Sequence, residues 1–172
     1  MVQLLSSSFE WQRRFAGNVA APHENGKRMD KHKPLVASAS YSLQTTAGDY
    51  GAFMGAVLRG DRLREATHRQ WLTAQVMVPR GSVLHLQDTP PRTEAGIGWG
   101  LGWGVETESG AFFQWGKMDG VRAFTMGSVR EQAGFALFAN SHTGLRLMHG
   151  VAQDILPGDH PAVAWLNACV SE

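Results

Sequence analysis

Acyl transfer by a serine needs a base to take its proton and donors to hold the oxyanion, and two short spacings announce such a serine directly. Neither occurs in this chain. GxSxG is absent, and Ser-x-x-Lys fails at every lysine, because the residues three before Lys27, Lys31, Lys33 and Lys117 are Glu24, Arg28, Asp30 and Gln114. Ser82, Ser128 and Ser141, with His85, His142 or His149 as base, could form a serine site only by proximity in the fold, which spacing does not reveal. Cys169 lies in an apolar stretch and suits a small buried hydrophobe better than a nucleophile. On one helix, His142 and His149 would stand about 10 Å apart, too far to share a metal ion. With a single cysteine there is no thiolate cluster, so neither a metal nor another cofactor is expected. The P-loop is absent, and the glycine row GWGLGWG does not follow GxGxxG.

Residues 98–140 supply the elements that must position any site. In GWGLGWGVE (98–106), Trp99, Leu101, Trp103 and Val105 alternate with four glycines, the pattern of a strand with one bulky and one bare face. A bare face suggests that another backbone or a ligand approaches closely. Further strands are expected at 111–115, 121–126 and 134–140, joined by short turns and hence antiparallel.

Upstream, Thr45 or Thr46 can cap a helix over 47–58, where Tyr50, Phe53, Met54, Val57 and Leu58 recur at helical spacing before Gly60. A second helix over 65–73 turns Ala66, Trp71 and Leu72 inward, and residues 79–95 read as a loop. A short helix is possible over 6–18. The polar segment 22–34 contains Asn25-Gly26, a hairpin-turn signal, and holds a cluster of basic residues read as a solvated loop. Downstream, 143–156 places Leu145, Met148, Val151, Ala152 and Ile155 on one helical stripe, and 160–169 is a final helix with proline in its first turn. The order predicts an α+β fold: helices and loops over 1–95, an antiparallel sheet over 96–140 and helices over 141–172.

The chain of 172 residues is 43% hydrophobic, enough for one domain or a large part of one with a real core. A formal charge of +1 offers nothing for nucleic acid or an anionic membrane. No apolar run reaches the roughly 20 residues of a membrane span, and residues 1–12 show no export signal. A soluble chain of undetermined compartment is expected.

Taken together, GWGLGWGVE, FFQWGKMDGVRAF (112–124) and GFALFANS (134–141), with SLQTTAGDYGAFMGAVLRG (42–60) upstream, resemble the C-terminal part of the serine β-lactamase and penicillin-binding-protein superfamily. The likeness is greatest to the class C-like branch with D-alanyl-D-alanine carboxypeptidases and esterases, and covers roughly residues 35–160. It implies an antiparallel sheet flanked by helices, with the active site between the sheet and a helical region. Of that family's three motifs, SxxK and YxN have no counterpart: Tyr41 is followed by Leu43 where asparagine is needed. The third, Lys/His-x-Gly on a strand, corresponds to Gln114-Trp115-Gly116. Glutamine donates a hydrogen bond but cannot supply a positive charge. By the resemblance, these three residues would bind substrate and the backbone N–H of Lys117 would donate to an oxyanion. His142-Thr143-Gly144 imitates the motif but lies at a helix start.

The resemblance therefore implies the C-terminal portion of a lactam, peptide or ester hydrolase, inactive alone and given to self-association or to a partner chain that supplies the N-terminal part. A non-catalytic binding module and a small stand-alone esterase are the alternatives.

Overall fold

The structure, a computed structural model, describes residues 6–79 and 93–170. Six strands form one antiparallel sheet in chain order, β3 (Val76–Pro79), β4 (Thr93–Trp99), β5 (Gly104–Glu106), β6 (Phe112–Met118), β7 (Val121–Ser128) and β8 (Ala133–Ala139). A small hairpin of β1 (His23–Glu24) and β2 (Lys27–Arg28) precedes it. Helices α1 (Ala47–Arg59) and α2 (Glu65–Trp71) come before the sheet, and α3 (Met148–Ile155) and α4 (Pro161–Val170) after it. The fold is α+β, as the order of elements predicts.

Alternation along β6 divides the core in two. Phe113 and Trp115 face α4, where Trp165 meets both rings, and join Met126, Phe135, Met148 and Leu166 in the larger cluster. Phe112 faces the other way and packs with Met54 and Val57 of α1 and with Trp103. Helix α1 forms where its spacing predicts. Thr46 Oγ1 accepts the Asp49 N–H at 3.1 Å, Asp49 complements the positive end of the helix, and Gly60 closes it.

The glycine row folds differently from the expected single strand. Gly98 and Trp99 end β4, residues 100–103 turn, and Gly104 begins β5, with Trp99 opposite Gly104 and Gly98 opposite Val105. The Gly100 N–H donates to the Trp103 carbonyl at 2.7 Å, and Gly102 has φ +94°, which a side chain would strain. The turn separates the two tryptophans: Trp99 packs with Phe113 and Trp115, Trp103 with Phe112 and Trp71. Leu101, at its tip, is 53% exposed. The bare positions serve the chain's own backbone. A Cβ on Gly98 would collide with Ala74, and one on Gly100 would lie 2.8 Å from the Trp71 carbonyl oxygen.

Other differences have similar causes. β3 and the start of β4 occupy ends of the segment expected to be a loop, residues 80–92 of which lie outside the described residues. Ala66 is exposed, whereas Trp71 meets Trp103. Residues 6–18 form only a 3-10 turn, Arg13–Phe15. The 143–156 segment begins with a 3-10 turn, Gly144–Leu147, whose tighter winding shifts the phase, so that Ile155 is 40% exposed and Leu156 is buried.

One buried polar group joins sheet to helix. Glu106, fully buried, accepts the Ala162 N–H at the start of α4 at 3.1 Å and the Ser109 hydroxyl at 2.7 Å, and lies 3.2 Å from His160 Nδ1.

Candidate functional site

β5 pairs with β6 only through Gly104↔Phe113 and Val105↔Phe112. From Gln114 to Met118, β6 therefore pairs with β7 alone, and its other edge has no strand beside it among the described residues. The Trp115 N–H donates to Gln114 Oε1 at 3.1 Å and so points to this open side. Peptide groups alternate along a strand with period two, which turns the Lys117 N–H to the same side. The second group of the Gln114 carboxamide, Nε2, donates to the Gly102 carbonyl at 3.1 Å and ties the β4–β5 turn to the edge.

From this edge a groove of about 730 Å³ spreads over the sheet face of β6, β7 and β8. β6 contributes residues 114–118, β7 residues 121–125, α1 contributes Tyr50, β8 contributes Phe138, and the segment before α1 contributes Tyr41 and Gln44. The Tyr50 and Phe138 rings meet edge-on at 5.4 Å. Burial pushes the Tyr50 phenol above its ordinary value, so at neutral pH it offers a hydrogen-bond donor and no phenolate base. Gln44 Nε2 donates to the His32 carbonyl at 3.0 Å, while its Oε1 is buried without a donor among the described residues. Tyr41 is 53% exposed and meets the His32 ring edge-on at 5.9 Å. The groove is thus aromatic at one wall and carries unpaired amide hydrogen-bonding capacity at another. An extended chain could lie in it and pair with β6.

The four residues singled out in the sequence all border the groove, in different ways. Gln114 and Gly116 share its face of β6 by alternation. Trp115 borders it along the strand, but its ring packs on the opposite face with Phe113, Trp99 and Trp165. The Lys117 side chain is exposed, leaving its N–H as its contribution to the edge. A Cβ on Gly116 would make only an ordinary 3.6 Å contact with Ala123, so the bare position is not required by packing. Tyr50 had no signal beyond core spacing, and its place in the groove follows from α1 crossing the sheet near Phe138.

The distant serine arrangement does not assemble among the described residues. Ser128 Oγ accepts the Glu131 N–H, Ser141 is bonded to Thr143, and His142 Nδ1 accepts the Asn25 N–H. No described serine hydroxyl is hydrogen-bonded to a histidine ring; Ser82, His85 and the Cys169 side chain lie outside the described residues. Gly144 opens a 3-10 turn, so His142-Thr143-Gly144 is not on a strand. No group of three metal-ligating side chains occurs among the described residues. No described helix is long and apolar enough to cross a membrane.

No protein-family model and no curated protein matches the chain. Among solved structures, it is similar to the octameric penicillin-binding protein homologue from Pyrococcus abyssi, with a TM-score of 0.65 and 15% sequence identity over 93% of this chain. The match spans 36% of that protein's chain. At this identity the likeness is one of fold: the chain has a distant penicillin-binding-protein-like fold.

Proposed function

We propose that this chain is the sheet wall of a serine hydrolase-like site, corresponding to the C-terminal portion of a β-lactamase or penicillin-binding-protein-like hydrolase. It binds a lactam, peptide or ester in extended form and depends on a nucleophile that its own SxxK-free sequence does not supply. The open edge of β6 carries this reading: from Gln114 to Met118 it borders a groove large enough for a small ligand and has no neighbouring strand. Gly116 lets the ligand backbone approach, the Lys117 N–H donates to a carbonyl or oxyanion, and Tyr50 and Phe138 pack against apolar parts. Gln114 steadies the β4–β5 turn and holds ligand by hydrogen bonding, without the charge that lysine or histidine would bring. Its engagement by Trp115 and Gly102 also favours a second reading, a non-catalytic binding module.

The test combines two measurements on the same protein. Intact-mass spectrometry after a fluorophosphonate, and separately after a penicillin, is expected to show no adduct. Tryptophan fluorescence during titration with an N-acyl dipeptide is expected to show saturable binding, weakened in Gly116→Val, a variant the fold can accept. A stoichiometric adduct would establish an internal nucleophile and overturn the dependence on an outside one. Binding that is absent, or indifferent to Gly116→Val, would overturn the groove as the site. Restored hydrolysis on adding a polypeptide that bears SxxK separates the split hydrolase from the binding module.

A further inference from the structure

The two edges of the six-stranded sheet are built differently. β3 is four residues long, ends in Pro79 and shifts register against β4, all of which discourage pairing with another chain. β8 has no such protection. Its seven residues, AGFALFA, contain no charge and no proline, keep continuous register with β7, and have no described strand on their outer side. Such an edge is a template for a further strand.

The β8 sequence complements itself. In antiparallel pairing centred on Ala136, Phe135 falls opposite Leu137, Phe138 opposite Gly134, and Ala136 opposite Ala136 of the second copy. Phe135 and Leu137 belong to the cluster with α3, and an aromatic covers a bare glycine on the other face, that of α1.

Helix α1 brings a second feature to the same level. Its Tyr50 meets Phe138, and Met54 reaches Gly134, so the middle of the helix stands beside Ala136. Phe53 stacks on Trp103, over the interior of the sheet. At about 100° per residue, Gly51 and Gly55 lie on the opposite flank of the helix, towards the open edge. A Cβ on Gly51 would meet nothing within 4 Å, and one on Gly55 only the Arg59 side chain. A two-fold axis normal to the sheet would run the two helices antiparallel, the first turn of each beside the last turn of the other. The partial charges of the facing helix ends are complementary.

We infer that the β8 edge and the glycine flank of α1 are the interface of a two-fold dimer of this chain, joining two sheets into one. Seven residues of strand run roughly 23 Å, and a sheet plus a helix layer is about 20 Å deep. The resulting strip, roughly 450 Å² per copy, lies at the small end of specific interfaces. An interface of this size is a transient one, and the dimer dissociates on dilution.

Sedimentation velocity across a concentration series tests this, with thermal melting as the control for folding. The wild type is expected to pass from monomer to dimer. Ala136→Glu and Ala136→Lys place like charges opposite each other and should each be monomeric, while an equal mixture of the two should dimerise. Gly51→Leu should raise the dissociation constant at least about tenfold without lowering the melting temperature, because the position is open and leucine favours helix. It remains the test if the Ala136 variants fail to fold. A wild type that stays monomeric at high micromolar concentration, a dimer that survives in any of these folded variants alone, or a folded charge-swapped mixture that stays monomeric would overturn the interface.

Discussion

Replacing Glu106 by alanine should be among the most damaging single changes in the molecule. The carboxylate is fully buried and holds together three elements that are remote in sequence. Oε1 accepts the Ala162 N–H at 3.1 Å, and Oε2 accepts the Ser109 hydroxyl at 2.7 Å while facing His160 Nδ1 at 3.2 Å. His160 Nε2 donates to the Leu156 carbonyl at 3.1 Å, so the ring is itself anchored and cannot simply turn to water. Alanine leaves the helix N–H and the hydroxyl without their acceptor and the imidazole without its polar neighbour, in a site whose carboxylate and imidazole are about 1% and 4% exposed. Leaving a buried donor without its acceptor costs about 1–3 kcal/mol, so the loss of this acceptor takes a large part of the roughly 5–15 kcal/mol that holds a domain folded. For a chain of this size, about 1 kcal/mol moves the melting temperature by roughly 2–4 °C, so a fall of about 10 °C or more is expected. Urea unfolding followed by tryptophan fluorescence gives the free energy directly. Glu106→Gln separates the hydrogen bonds from the charge. Its amide oxygen can still accept from Ala162 and its amide nitrogen can face His160 or Ser109, so it should lose only about 1 kcal/mol. A loss below about 1 kcal/mol in Glu106→Ala would refute the reasoning, because it would mean that the Ala162 N–H and the Ser109 hydroxyl find other partners.

Three further outcomes follow from the packing. Gly104→Ala would drive a Cβ into the Phe113 ring and should destabilise the protein by about 1–3 kcal/mol, measured by the same urea titration. Thr46→Ala removes the acceptor of the Asp49 N–H and should cost about 1 kcal/mol, with the loss read from the urea midpoint and the helical circular-dichroism signal. Burial raises the Tyr50 phenol, so its ionisation disfavours the folded state: stability is kept below the ordinary tyrosine range near pH 10 and falls as pH rises through the folded value. Absorbance titration should show a late tyrosinate step that disappears in Tyr50→Phe, and a step at ordinary pH in the folded protein would refute the burial argument.

Local signals were sufficient where the local chain decides. Thr46, Asp49 and Gly60 mark both ends of α1, and Asn25-Gly26, with φ 48° and 76°, makes the turn between β1 and β2. Short connections predict β6, β7 and β8 in one antiparallel sheet. The sequence is silent where a distant partner decides. Alternating glycine and tryptophan suit a strand, yet the backbone of residues 71–76 occupies the bare side and the chain turns at Gly102. β3 is four residues without alternation, made a strand by pairing with β4. Glu106 and His160 are 54 residues apart, and nothing near either announces the pair.

The candidate site divides in the same manner. Gln114 and Gly116 are visible in sequence because a strand fixes their common face, and alternation alone separates them from the Trp115 ring. Tyr50 was not, because the spacing that buries Met54 and Val57 also places it at the edge of that buried face, where Phe138 meets it. The same step explains what holds the groove in place. Its floor is a strand fixed by β7 on one side and by the Phe113, Trp115 and Trp165 packing beneath, and neither depends on what occupies the open edge. That wall is held in place by the core, and Gln114 is tied to it by its bonds to Trp115 and Gly102.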